Sequence, residues 1–146
     1  MKALIQRVSS ASVSVDGECI SSIGAGLLLL LGVERSDDDA SIKKLADKVL
    51  AYRVFDDKQG KMNLSLLDTE GELLIVSQFT LVADTHKGLR PGFSKGASAE
   101  HGNLLYQRFI AYVEGTPINV STGRFGSDMS VSLVNDGPVT FLLQVP

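Results

Sequence analysis

The chain has one cysteine, no tryptophan, two histidines and four prolines in 146 residues. A lone thiol, Cys19, excludes an internal disulfide and a cysteine-only zinc cage, and it fits a reducing compartment. Cys19 itself reads as a half-buried strand residue. His86 and His101 fall on different expected elements and lack an HExxH or paired-cysteine partner, so no metal ligand set is legible. Neither a G-x-G-x-x-G nor a Walker loop occurs, which leaves nucleotide cofactors without support. Long apolar runs are also missing. The longest, Leu27 to Leu31 with Val33 beyond Gly32, is far short of the roughly 20 residues a membrane helix needs. Arg7 interrupts the amino-terminal segment before any apolar region develops, so no signal peptide and a cytoplasmic location are expected. Positive charge is scarce: 14 Lys and Arg face 17 Asp and Glu, a net charge of −3. The whole molecule therefore offers no bulk attraction to polyanions, and any contact with nucleic acid must be local.

What is present is an ordinary globular composition, 44% hydrophobic and 21% charged, expected to form one domain over residues 1–146. Met1 to Arg7 and Ala11 to Val15 read as two short strands around Ser9-Ser10, with a hairpin turn at Asp16-Gly17 and a return strand over Glu18 to Ile23. Leu27 to Val33 is apolar on both faces and is placed centrally. Ser36 to Asp39 supplies helix caps, and Ile42, Leu45, Ala46, Val49 and Leu50, continuing to Arg53-Val54, follow helical spacing. Lys43, Lys44 and Lys48 on its other face read as a solvated surface or, less commonly, as a phosphate contact. Asp56 to Gly60 is a turn, either alone or within a short hairpin, Met62 to Ser65 begins an irregular connection, and Leu73 to Thr80 is a strand. Ser98 caps a second helix with a stripe of Leu105, Phe109, Tyr112 and Val113, ended by Gly115-Thr116-Pro117. Ile118 to Ser121, Met129 to Val134 and Val139 to Val145 complete the strands. Many strands with two main helices and little alternation argue α+β, mainly antiparallel.

Two stretches carry the chemistry. Ser77-Gln78-Phe79-Thr80-Leu81 delivers polar residues at the end of the apolar run Leu73 to Val76. Thr80 is the obvious nucleophile, yet a hydroxyl needs a base and no histidine or lysine is placed to serve it. The alternative is that Ser77, Gln78 and the backbone N–H groups of Phe79 and Thr80 form a polar pocket that polarises a substrate carbonyl. The acidic pairs Asp56-Asp57 and Glu70 with Glu72 sit in turns and read as solvated. The second stretch, Asn135-Asp136-Gly137-Pro138-Val139-Thr140, sets Gly-Pro between two β-rich runs. A trans bond is the statistical default, while a cis bond there would reverse the chain and aim two carbonyls the same way, an acceptor for an ammonium group. Between the two stretches lies a glycine-rich loop, Ala83 to Phe93, of a length that tends to be functional.

These two motifs, with Lys87-Gly88, Arg90-Pro91-Gly92-Phe93 and the amino-terminal Met1-Lys2-Ala3-Leu4-Ile5-Gln6-Arg7-Val8, resemble the D-aminoacyl-tRNA deacylases over essentially the whole length. The resemblance implies a homodimer with a barrel-like fold that hydrolyses the ester joining a D-amino acid to the 3′ end of tRNA. It also implies removal of glycine mischarged onto tRNA(Ala), without a cofactor. It places Ser77, Gln78, Phe79 and Thr80 at the catalytic site, with Gly137 and Pro138, joined by a cis bond, reaching into the partner subunit's pocket. Arg7 fixes that motif, and Phe125 and Met129 match pocket-lining positions. Ser127 departs from the alanine common there in the family. The chirality of selection follows from such a backbone wedge: an L side chain is crowded, a D side chain projects away, and glycine escapes exclusion. For tRNA, Lys87, Arg90 and Lys95 read either as phosphate contacts or as solvated loop charge.

Overall fold

The computed structural model describes residues 1–146 and is organised on one long strand, β1 (Lys2–Val15). Its side chains alternate from Lys2 to Gln6 and from Ala11 to Val15, as a strand with one face on a core requires. Between those halves Arg7 and Val8 are both buried, and Ser9 and Ser10 are both exposed. The pairing of β1 with β8 (Ser130–Gln144) shifts register at the same place, between Gln6 and Val8 and between Val8 and Ser10. The two serines, expected to separate two strands, therefore mark a bulge inside one, which flips the inward face without ending the ladder. The partner strand shows the same correction. Its two expected halves run continuously through Asn135 to Pro138.

Asp16 and Gly17, with φ of 51° and 79°, make the hairpin turn into β2 (Glu18–Ile23). The lone cysteine lies on this strand but is exposed, not half-buried. β3 (Gly26–Gly32) pairs antiparallel with the first half of β1, whereas β6 (Glu72–Ser77) joins β3 in parallel and β7 (Asn119–Thr122) joins β6 in parallel. The expectation of a mainly antiparallel sheet thus gives way to a mixed one, in the order β2-β1-β3-β6-β7 with β8 on β1. Parallel neighbours need crossover connections, and the helices those crossovers carry cover the sheet. The double-sided apolar character of Leu27 to Leu31 is the trace of this in the sequence. Ser21 Oγ donates to Thr122 O, tying β2 to β7 and curling the sheet toward a barrel.

The helices are set by their caps. α1 (Asp39–Ala51) starts from Asp38, whose carboxylate accepts from Ser41 N–H at 3.1 Å while Ser41 Oγ accepts from Asp38 N–H at 3.2 Å. That backbone donor holds the Asp38 carboxyl below the usual range. The helix stops at Ala51 because Tyr52 is extended, so Arg53 and Val54 lie beyond it. A β4 (Phe55–Asp56) and β5 (Met62–Leu64) hairpin follows, then a one-turn α2 (Leu66–Thr69) where an irregular connection was expected. Its cause is a capping box between Ser65 and Asp68. α3 (Ala99–Glu114) begins with His101 N–H bonded to Ser98 Oγ at 3.1 Å and buries Leu105, Tyr106, Phe109, Ile110 and Val113. Tyr112, expected in that stripe, is only partly buried and donates to Asp47 at 2.6 Å.

The sheet separates two cores. Leu27, Leu29, Leu31, Leu73 and Ile75 face α1 and α3, and Leu28, Leu74, Val76, Val8 and Val13 face the inside of the curl. Each fully buried aliphatic of this size contributes roughly 1.5–3 kcal/mol. Tyr106 crosses between the layers: its hydroxyl donates to Ile75 O at 2.9 Å, and burial pushes the phenol up to about 12. This bond fixes α3 against β6 immediately before the residues that form the site.

Candidate active site

β6 ends earlier than its sequence suggests. The strand stops at Ser77, Gln78 leaves it with φ −142° and ψ 85°, and Phe79–Val82 form a 3₁₀ turn. Gln78 N–H still bonds Leu31 O at 2.8 Å, so the turn is pinned to β3. Gly32 makes the close seating possible: a Cβ there would lie 2.8 Å from Val82 Cγ1 and 3.1 Å from Leu81 Cβ. The first bond of the turn runs from Leu81 N–H to Gln78 O at 3.2 Å. The N–H groups of Phe79 and Thr80 precede it and have no acceptor within the turn.

A pocket of about 480 Å³ opens beside this turn, within the range typical of small-molecule sites. It brings together Ser77, Gln78 and Phe79 from the first motif with Phe125 and Met129 from the segment before β8. Phe125 packs on Tyr106 at 5.7 Å between ring centroids, and Met129 Sδ accepts from Arg124 N–H at 3.3 Å. Phe79 is 70% exposed and leans on Phe93 at 5.4 Å. Thr80 is exposed outside the lining, and its Oγ1 accepts from the Gln78 side-chain amide. No imidazole, amine or carboxylate hydrogen-bonds to it, so the structure supplies no base for a nucleophilic hydroxyl. Asp128 is the single carboxylate on the wall.

Gly137, Pro138 and Arg7 lie elsewhere in the chain and do not line this pocket. The Gly137–Pro138 peptide is cis, and both residues are exposed. Arg7, 9% exposed, holds the segment from beneath: Nε donates to Asp136 O at 3.1 Å and Nη1 to Val54 O at 2.8 Å, with Asp56 Oδ1 at 3.4 Å. Asp56, read from the sequence as solvated, is thus a half-exposed ion-pair partner. Asn135 Oδ1 accepts from Val139 N–H at 3.1 Å and closes the turn from its other side. The glycine-rich loop is pinched at its neck by paired Asp84 and Gly92 backbones, at 2.7 and 2.9 Å. His86 N–H, donating to Asp84, holds that carboxyl below its ordinary range.

Sequence reasoning missed several wall residues. Gly102 and Tyr106 come from α3, where a glycine inside an otherwise helical pattern was the available signal. Phe93, in the Arg90-Pro91-Gly92-Phe93 motif, also lines the pocket, and no local pattern in the sequence signals that placement. No cluster of three or more His, Cys, Asp or Glu side chains gathers in one place.

Fold and site together define an α+β protein with an open pocket at the end of β6, beside the start of a 3₁₀ turn. The model of the D-Tyr-tRNA(Tyr) deacylase family matches residues 4–144, and the chain belongs to that family. It is 59% identical to a D-aminoacyl-tRNA deacylase of Alteromonas mediterranea and 57% to one of Escherichia coli, over 99% of this chain and the full length of both. Among solved structures, one described as c-Myc DNA Unwinding Element Binding Protein superposes with a TM-score of 0.95 at 40% identity, covering 100% of this chain and 99% of that one. Another, described as a probable eukaryotic D-amino acid tRNA deacylase, shares the fold with a TM-score of 0.86 at 18% identity, over 99% and 98% of the two chains.

Proposed function

We propose that the protein hydrolyses the ester of D-aminoacyl-tRNA, releasing the D-amino acid and tRNA. The observation that carries the reading is a pocket at the end of β6, beside a 3₁₀ turn whose Phe79 and Thr80 N–H groups have no acceptor within the turn, with no side-chain base at the Thr80 hydroxyl. Family membership and the names of the full-length relatives support it. In this reading water attacks the ester carbonyl, and the N–H groups of Phe79 and Thr80 stabilise the oxyanion. The neighbouring ribose 2′-hydroxyl helps take the water's proton. Collapse of the intermediate breaks the bond to the 3′-oxygen, which leaves with a proton. Ser77 and Gln78 position the acyl group, and Phe125 and Met129 bound it.

Selection at Cα is assigned to Gly137 and Pro138 of a second subunit, since those residues project from the surface and their own chain's pocket does not contain them. The homodimer is thus part of the proposal. The wedge binds the α-ammonium through backbone carbonyls and crowds an L side chain. Glycine, with nothing to crowd, is also removed, including from tRNA(Ala). The working compartment is the cytoplasm, where charged tRNA is used. No helix is long and apolar enough to cross a membrane.

A second reading, nucleic-acid binding without turnover, is favoured by the description of the 40% identical structure as a DNA-element binder. Incubation with D-tyrosyl-tRNA in chelator separates the two. Multiple-turnover release of D-tyrosine is expected, with a sharp loss when the terminal ribose is 2′-deoxy. Stoichiometric binding with no release would establish the second reading.

A further inference from the structure

A second cleft, about 360 Å³, lies next to the candidate active site and is lined by Arg35, Gly96, Ala97, Ser98 and His101. Gly96, Ala97 and Ser98 also line the larger pocket, so the two spaces share a wall. The segment carrying Arg35 is fastened to that wall by backbone bonds, Arg35 N–H to Lys95 O at 2.9 Å and Ala97 N–H to Val33 O at 3.2 Å. The position of the cleft relative to the pocket is therefore fixed by strand-like pairing, not by side-chain chance.

The charges around it are unevenly engaged. Glu34 and Asp37, the acidic neighbours of Arg35 in the chain, both bond the Met1 amino group, at 3.2 and 2.8 Å. Asp39 pairs with Arg108 at 3.1 Å. The Arg35 guanidinium forms none of the molecule's ion pairs and no side-chain hydrogen bond, and Lys95 forms no ion pair. His101 is oriented from behind, its Nε2 at 2.9 Å from Asp37 O; because a carbonyl only accepts, this nitrogen carries the hydrogen. In a protein of net charge −3, an unengaged guanidinium in a cleft beside a pocket is where polyanion contact can be concentrated; Lys95, on the same segment, interacts with the Asp84 carboxylate.

We propose that this cleft binds a phosphodiester of the RNA strand leading to the terminal nucleotide, with the Arg35 guanidinium as the principal donor, the Ser98 hydroxyl as a second and the His101 ring as part of the wall. The proposal rests on the deacylase reading for what fills the larger pocket. A planar guanidinium matches phosphate geometry with two donors, and such contacts position a strand without reading its bases. The cleft would thus register the 3′ end while the adjacent turn acts on the ester.

The test uses the full-length protein and two readouts. Binding of uncharged tRNA over a salt series is compared for wild type, Arg35→Ala and Arg35→Lys. Arg35→Ala is expected to weaken binding about tenfold at low salt and to lower the slope of log K against log salt by about 1. Arg35→Lys should retain the slope, because one cation remains. Hydrolysis of 3′-O-D-tyrosyl-adenosine, which has no upstream phosphate, should be unchanged in Arg35→Ala. Equal slopes in wild type and Arg35→Ala would overturn the subsite, and so would an equal loss on the adenosine ester, which would mark a structural effect. If no ester were cleaved by wild type, the deacylase reading would fail, while the tRNA slopes would still decide the phosphate site.

Discussion

Gly137→Ala is the substitution on which the geometry bears hardest. Gly137 has φ +130°, a region essentially reserved for glycine, so alanine there carries backbone strain of roughly 1–3 kcal/mol. An added Cβ would stand 2.7 Å from Val139 Cγ2 and 3.1 Å from both Val139 N and Arg7 Nη2. Val139 is buried and β-branched, so it has little rotamer freedom to yield. Arg7 can yield only by loosening its bonds to Asp136 O and Val54 O, and a weakened bond from a buried guanidinium costs about 1.5–3 kcal/mol. Partial relaxation of both places the expected loss at about 2–4 kcal/mol. Urea unfolding of wild type and variant reads it as a lowered midpoint at constant m. A loss below about 0.5 kcal/mol would refute the reasoning, since it would mean that neither the strain nor the Arg7 contact exists as described.

Thr80→Ala should keep turnover of D-tyrosyl-tRNA within about tenfold of wild type, because catalysis is assigned to backbone N–H groups; a loss of a thousandfold with intact folding would restore the nucleophile reading. Tyr106→Phe should cost about 1 kcal/mol of stability at neutral pH through the lost bond to Ile75 O, measured by the same urea unfolding. The Tyr106 phenol is raised in the fold from 10.0 to about 12, so the unfolded chain releases its proton first. Its contribution is therefore complete below pH 10 and declines as pH rises toward 12. Wild type should lose stability across that window faster than Tyr106→Phe, and parallel curves would contradict the assignment.

Local chemistry was legible where one residue decides the outcome. Asp16-Gly17 turned the first hairpin, Asp38 and Ser98 started the two long helices, and Gly115 ended the second. What escaped was decided by partners distant in sequence. Ser9-Ser10 looked like a break because a bulge exists only relative to β8, and the parallel pairing of β3 with β6 depends on crossovers that no local pattern states. Thr80 looked like the end of a strand, but Gly32 on β3 provides the space into which the chain folds as a 3₁₀ turn. The one-turn helix after Ser65 has its signal in Ser65-x-x-Asp68, but four residues are too few to show a helical period. Of the candidate site, Ser77, Gln78, Phe79, Phe125 and Met129 meet in one pocket, while Arg7 and Gly137-Pro138 meet one another at a separate place. Linear sequence pointed to both groups and carried no information on the distance between them.

The most direct test is the ratio of amino-acid release from matched D-tyrosyl-tRNA and L-tyrosyl-tRNA by the same preparation. Rapid loss of the D ester with the L ester persisting at its uncatalysed rate is the predicted result. Equal cleavage of both esters would contradict the account, describing an unselective esterase and leaving the exposed Gly137-Pro138 turn without the role assigned to it.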